Sequence, residues 1–374
     1  SQFGKTLAAF VGPILWHTCE LDDNTVMGVP HADMASDKWR MDIEPAMRAS
    51  HHLSPLRPIS GSGSAGGKIR ELVTFSNGVA LKPMSAGGSD TAKAGFTSRV
   101  IVVTEAAGFS DSSETSVEAD PLRQIRARQR AYKERDKATY IEGTLTVENE
   151  LPWSLKEQST QSEIMSKCPH CGVWVHPERE DLVGWQDAKT EMEARNSAYW
   201  QCPECLEAIT EAQRAKMLLE SKLVHRGQAI NDDGTIVGPM PETSRLWFHA
   251  KAFHNLFLEA GDIGKTEWMC RQIAEDTLDR YSAEKELAQF VHAQPYVSPL
   301  FANELELDSR EIGQRRYELP PGILPADTET LTLGVDVGQK ECWYLFLARR
   351  RDKDGNVYWH IPAYGKVDVP SDRM

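Results

Sequence analysis

Two cysteine knuckles constrain this chain more than any other feature. Cys168-Pro169-His170-Cys171 and Cys202-Pro203-Glu204-Cys205 are both C-x2-C pairs, separated by a spacer of 30 residues. Four thiolates in two such turns form the ligand set of a tetrahedral Zn²⁺, which folds a segment too small to bury a core of its own. They are four of seven cysteines in 374 residues, a usage that fits metal binding in a reducing compartment better than disulfides. The spacer exceeds the about 15–20 residues of common ribbons, so Trp174, Trp185 and Trp200 are expected in a small sheet around the metal. With Cys at all four positions, no open position is left for catalysis. His170 and His176 then lie outside the ligand set by default, although a His can replace one Cys.

A second constraint is Arg99–Ser110, RVIVVTEAAGFS. Val100 to Val103 form a short apolar run that stops at Thr104-Glu105, the pattern of a strand buried on both faces inside a parallel sheet. Glu105 then stands at the carboxyl edge of that sheet, where α/β folds bind ligands and where a carboxylate can orient a water or help hold Mg²⁺. By itself the run is also compatible with a strand that ends in a solvated Glu.

The chain opens SQFGKTLAAFVG. Gly4-Lys5-Thr6 ahead of a helix-competent stretch matches the back half of a P-loop, where backbone N–H groups, a Lys ammonium and a Thr hydroxyl meet phosphates and Mg²⁺. A strand at Thr25–Val29 and a helical stripe of Trp39, Ile43 and Met47 follow, giving the alternation of a parallel sheet. Two other glycine-rich stretches read as loops. In Ser60–Lys68 the Lys is followed by Ile69, and in Gly261–Thr266 (GDIGKT) Glu259 occupies the place of the first P-loop glycine. Asp120–Tyr140 reads as a helical segment rich in Arg and Lys, ordinarily a solvated face, here set in a chain of net charge −13. That overall charge argues against coating nucleic acid with the whole surface but leaves room for a local basic channel. Ala138–Leu145 (ATYIEGTL) reads as another strand ending in Gly143-Thr144.

From Glu211 to about Leu287 the pattern is mostly helical, and Pro320, Pro321 and Pro325 mark a linker. Beyond it, Thr330–Val337, Cys342–Ala348 and Val357–Ile361 read as three successive antiparallel strands with a turn at Asp354-Gly355. Asp336 sits near the end of the first, and a carboxylate buried there is costly unless it pairs or binds metal. No run approaches a membrane span and no signal peptide precedes Gly4, which points to an intracellular protein without a membrane partner.

In this order the pieces resemble the large terminase subunit of tailed bacteriophages, of the lambda type that carries a zinc ribbon. The resemblance rests on SQFGKT, VMGVPHADMASDKW, LKPMSAGGSDTAKAGFTSRVIVVTEAAGF, EGTL, the CPHCG and CPEC knuckles, and LGVDVG. It implies an α/β fold: a P-loop NTPase-like parallel sheet over residues 1–160, a zinc-ribbon insertion at 161–212, a mainly helical connecting region and linker at 213–325, and the first strands of a ribonuclease-H-like nuclease at 326–374. It also implies that the front of the P-loop lies before Ser1, that most of the nuclease lies beyond Met374, and that this piece alone is impaired as an enzyme.

By the same resemblance Gln2, Gly4, Lys5 and Thr6 bind ATP, with Lys5 on the β- and γ-phosphates and Thr6 on Mg²⁺. Glu105 positions the attacking water, and Gly143 and Thr144 couple hydrolysis to DNA movement. Cys168, Cys171, Cys202 and Cys205 hold Zn²⁺, and Asp336 is one ligand of a nuclease Mg²⁺ or Mn²⁺. The implied activity is ATP-driven packaging of double-stranded DNA into a procapsid, with endonucleolytic cutting of concatemers. The implied partners are that DNA, a small terminase subunit, the portal protein and further copies in a ring, in the host cytoplasm. Two departures from the family pattern stand out: Thr104 where an Asp usually precedes the catalytic Glu, and Leu145 where a proline usually follows the coupling residues. Two other readings share these motifs, a helicase-like ATPase that does not cut, and a non-enzymatic zinc-ribbon module on a degenerate ATPase scaffold.

Overall fold

Val100–Val103 (β4) lies inside a parallel sheet, as its apolar run requires. Its side chains alternate between two cores: Val100 and Val102 pack on one face, Ile101 and Val103 on the other, and all four are fully buried. The computed structural model describes residues 4–64, 69, 72–87, 95–109, 121–145, 151–275, 277–296, 319–337, 341–351 and 355–368. It divides into two units, 1–302 and 303–374.

The sheet of the first unit contains β1 (Thr25–Val29), β2 (Val73–Thr74), β3 (Ala80–Ser85), β4 and β5 (Ala138–Ile141) in the order β2-β3-β1-β4-β5. All neighbours are parallel except β2, which runs antiparallel to β3. The amino-terminal helix runs through Leu7–Val11, Gly12–Leu15 and Trp16–Glu20, and places Phe10, Val11, Ile14 and Leu15 against Met27, Val29, Val100 and Val102. Trp39, Ile43 and Met47 are fully buried in the same core, confirming the stripe. Burying a side chain of this size contributes roughly 1.5–3 kcal/mol, so this layer fixes where the helix begins relative to the sheet edge. On the opposite face Met84, Phe109, Leu122 and Ile125 cover Val26, Ile101 and Val103.

The Arg-rich segment is not one long helix. A helix covers Pro121–Arg126, a tighter turn Ala127–Gln129 follows, and β5 starts at Ala138. The chain has to reverse quickly to lay β5 beside β4, and buried Gln129 holds the reversal by donating its amide to the carbonyls of Arg99 (2.9 Å) and Ala138 (3.0 Å). Arg135 and Lys137 pair with Asp136 and Glu134 in their own loop.

The cysteine region forms short antiparallel strands: β6 (Glu163–Lys167), β7 (Trp174–Val175), β8 (Leu182–Val183), β9 (Tyr199–Gln201), β10 (Ala208–Ile209) and β11 (Lys222–Val224). They make two three-stranded sheets, β10-β9-β8 and β11-β6-β7. Glu211–Leu219 is helical, closed by a reciprocal cap between Thr210 and Gln213. The stretch after it departs from the helical expectation. It carries β11 and the hairpin of β12 (Ala229–Ile230) and β13 (Ile236–Val237) before helices return at Ala260–Gln272 and Leu278–Glu286.

Gly261–Thr266 lies within the Ala260–Gln272 helix rather than in a loop. Its glycines serve close packing: a Cβ on Gly264 would sit 2.3 Å from the Cβ of Ala198, and one on Gly261 would sit 2.5 Å from the Arg195 carbonyl. Lys265 pairs with Glu191 at 3.5 Å. Three letters, Gly-Lys-Thr, thus occur twice in this chain in different structural roles. Residues 65–68 of the other glycine-rich stretch lie outside the described residues.

In the second unit β14 (Thr328–Val337), β15 (Glu341–Arg351), β16 (Val357–His360) and β17 (Tyr364–Asp368) form one antiparallel sheet, with β14 on one side of β15 and β16 and β17 on the other. The three expected strands are present. Asp336, however, is exposed, as is nearly all of β14, so the burial that would make its carboxylate costly is not found. No helix among the described residues is long and apolar enough to cross a membrane.

Candidate functional site

The carboxyl ends of β4 and β5 carry the site. β4 ends at Val103, Thr104 donates its backbone N–H to the Gly28 carbonyl at 3.1 Å, and Glu105 turns the chain with a φ of +50°. A non-glycine residue held in that region stores strain of about 1–3 kcal/mol, and here the strained residue is the sheet-edge acid. β5 meets this turn through two backbone bonds, Glu142 N–H to the Val103 carbonyl (3.0 Å) and Ala106 N–H to the Glu142 carbonyl (3.1 Å). Gly143 lies so close that a Cβ on it would stand 3.1 Å from the Ala106 nitrogen.

The amino-terminal helix delivers Lys5 to the same edge. Its ammonium donates to Glu142 Oε2 at 2.7 Å and lies 3.7 Å from Glu105 Oε1. The Lys5 side chain is 17% exposed, that of Glu142 5% and that of Glu105 39%. The Thr104 hydroxyl, fully buried, donates to the other Glu142 oxygen. Gly4, with φ +85°, immediately precedes Lys5, and Thr6 lies at the helix start with its hydroxyl in no capping bond. A helix start, an ammonium, a Thr hydroxyl and an outward acid are a set of groups suited to a polyphosphate and its Mg²⁺. Gln2 lies outside the described residues.

The structure thus brings Lys5, Glu105 and Gly143 to one sheet edge, and adds Glu142, which sequence reasoning passed over. Its signal was present: it is the acid directly before Gly-Thr at the end of a strand, the same placement that drew attention to Glu105.

The second candidate is the four-cysteine cluster. The ligand atoms of Cys168, Cys171, Cys202 and Cys205 all lie within 4.8 Å of one another. Cys168 to Cys205 and Cys171 to Cys202 are each 3.9 Å between sulfurs, close to the about 3.8 Å edge of a tetrahedron with Zn–S bonds of about 2.3 Å. Both knuckles close alike. Cys168 N–H bonds the Val173 carbonyl and Cys202 N–H the Glu207 carbonyl, and the residue four places after each first cysteine, Gly172 or Leu206, has a positive φ. Burial pushes the Cys202 thiol up to about 12, and a cation held there would displace its proton. His170 donates its backbone N–H to the Cys168 sulfur at 3.4 Å, and its ring faces the Ala208 carbonyl. His176 instead faces the Ile164 carbonyl and Glu178, outside the sulfur set. Trp200 is buried on β9 and Trp174 stands on β7 around this centre, while Trp185 follows β8.

Asp336 joins no cluster of metal-ligating side chains among the described residues.

Residues 1–222 match the family model described as phage terminase large subunit gpA, ATPase domain. The chain belongs to that family. This terminase chain also resembles the crystal structure of the HK97 bacteriophage large terminase, at 13% identity and a TM-score of 0.41, over 96% of this chain and 57% of that one. The terminase chain therefore spans a little over half the length of that solved protein. A comparison with curated proteins finds no match. The family match covers Lys5, Glu105, Glu142 and all four cysteines.

Proposed function

We propose that this terminase chain is the ATP-hydrolysing motor of a viral DNA-packaging machine, and that Lys5, Thr6 and Glu105 are its phosphate-facing residues. The observation that carries the reading is the meeting of the Lys5 ammonium and the Glu105 carboxylate, 3.7 Å apart, at the carboxyl edge of a parallel sheet. Bound Mg-ATP supplies the phosphoryl group and most of the charge neutralisation. Lys5 adds positive charge beside the transferring phosphoryl group, and the Thr6 hydroxyl is the metal-facing ligand. Glu105, the most exposed of the three acidic and basic groups here, orients the attacking water. Gly143 and Thr144 follow Glu142 at the end of β5, and Gly143 lies against Ala106, next to Glu105, so a shift of that turn reaches β5 through the Ala106–Glu142 backbone bond.

In this reading the four thiolates hold a structural Zn²⁺ in an insertion, residues 326–374 begin a ribonuclease-H-like nuclease with Asp336 on a Mg²⁺ or Mn²⁺, and the whole protein works as a ring. It acts on double-stranded DNA with a small terminase subunit and the portal. The test is ATP turnover of the full-length protein. Glu105→Gln is expected to cost about 10²–10⁴-fold, the usual range for a general base, with nucleotide binding kept, and Lys5→Ala is expected to weaken binding as well. Turnover unchanged in both would overturn the assignment.

A second reading, an ATPase that moves nucleic acid without cutting it, shares the geometry of Lys5, Glu105 and Gly143 and differs only in what residues beyond Pro325 do. Manganese-dependent cleavage of plasmid DNA that is lost in Asp336→Ala would exclude it.

A further inference from the structure

Glu142 has both carboxylate oxygens engaged, one by the Thr104 hydroxyl and the other by Lys5. A carboxylate this buried costs several kcal/mol unless a cation pairs with it, and among the described residues Lys5 is the cation within ion-pair distance. Resting on the motor reading above, Lys5 has a second task, to face phosphates. Its three N–H donors can reach both, but its single positive charge, once shared with phosphate oxygens, no longer offsets Glu142 in full. With that charge drawn to the phosphates, Glu142 keeps the Thr104 hydroxyl but loses its counter-ion. The position beside it is occupied by Thr104, where nucleotide-hydrolysing sheets of this kind usually place the Asp that helps hold Mg²⁺.

We propose that Glu142 supplies, from β5, the carboxylate that Thr104 withholds from β4: it pairs with Lys5 in the empty site and exchanges that ammonium for the hydrated Mg²⁺ when nucleotide binds. The exchange keeps the buried carboxylate neutralised in both states. Thr104 holds one oxygen fixed, so the carboxylate keeps its orientation while its cation changes. Glu142 is thus a positioning residue that acts through the metal's water shell, distinct from Glu105, which stays directed outward. No bond is made or broken in this step.

The test separates metal-linked binding from activity. In the full-length protein, affinity for a fluorescent non-hydrolysable ATP analogue is measured with excess EDTA and with Mg²⁺. Wild type is expected to bind more tightly with Mg²⁺. Glu142→Gln is expected to lose about tenfold of that Mg²⁺ enhancement, the scale of one charge-assisted contact, while binding in EDTA is kept or improved because Lys5 is released. Thr104→Asp in the Glu142→Gln background returns a carboxylate to β4 and is expected to restore the enhancement. A full Mg²⁺ enhancement in Glu142→Gln overturns the proposal. So does equal weakening with and without Mg²⁺ that Thr104→Asp does not rescue, since that marks Glu142 as a structural tie. If Glu142→Gln does not fold, Glu142→Leu, a neutral residue of similar size, serves, with the same loss expected and the same null result decisive. A wild-type protein that binds no nucleotide overturns the motor reading itself, whereas silent Glu142 variants beside impaired Lys5→Ala and Glu105→Gln overturn only this exchange.

Discussion

The Lys5 ammonium lies 3.7 Å from the Glu105 carboxylate although exactly one hundred positions of sequence separate them. Two elements achieve this: a helix seated by Phe10, Val11, Ile14 and Leu15, and a strand that stops where its apolar run stops. Each is local in sequence, and only the sheet order brings their ends together.

Gly143 is the first place to probe the link between β5 and the turn that bears Glu105. A methyl group there meets the Ala106 nitrogen and Cβ at 3.1 and 3.3 Å, tighter than ordinary contact. Gly143→Ala is expected to cost about 1–3 kcal/mol of stability by overpacking and to lower ATP turnover more than nucleotide affinity. Thermal melting and steady-state kinetics check the two parts separately.

Metal removal should act on the cysteine region through its core. Cys168 and Cys202 belong to the buried cluster that also holds Val175, Trp200, Phe253 and Ile263. Prolonged chelation, or Cys202→Ser, is expected to abolish zinc in elemental analysis and to shift Trp fluorescence as Trp200 becomes exposed. Structural zinc contributes folding free energy directly, so cooperative melting of this region should be lost with it.

Gly264→Ala tests whether the second Gly-Lys-Thr is a packing element. The added Cβ would lie 2.3 Å from the Ala198 Cβ, between the Glu191–Ser197 and Ala260–Gln272 helices. Ala is favoured over Gly in a free helix by about 1 kcal/mol, so a net loss of stability of about 1–3 kcal/mol identifies the contact. Chemical denaturation measures it, and nucleotide binding should be unaffected.

Acid should weaken the first unit through two carboxylates. Burial raises the Glu178 pKa, but hydrogen bonds from His176 and Lys251 outweigh it and hold the group at about 2. Glu267 is likewise opposed by burial yet lowered by His292 and by Arg179, whose guanidinium donates at 2.7 and 2.8 Å. Both folded values lie below the unfolded one. Their stabilisation is therefore complete above the ordinary Glu value of 4.5 and is lost as pH falls through the folded pKa, for Glu178 between 4.5 and about 2. Melting temperature is expected to fall with pH over that window, less steeply in Glu178→Gln, and any cation lost from the cysteines at acid pH cancels from the comparison because both proteins share that loss. Glu267→Ala at neutral pH should cost about 1–3 kcal/mol, since buried His292 loses its partner while Arg179 keeps Glu284.

Sequence by itself determined the elements whose cause is local. Val100–Val103 had to be a doubly buried strand because four apolar β-formers leave no polar face, and the two C-x2-C turns, a spacing suited to one shared cation, bring their sulfurs within 4.8 Å of one another. The tertiary structure alone decided three other matters. It gave the two Gly-Lys-Thr segments different tasks, one at a sheet edge and one against Ala198, because what packs on a glycine is not written beside it. It left Asp336 exposed, because burial of a strand depends on what covers it. It made Glu142 the partner of Lys5 across 137 positions, because the helix that begins beside Lys5 is seated on the sheet and β5 lies next to β4, an arrangement that no local stretch of sequence contains.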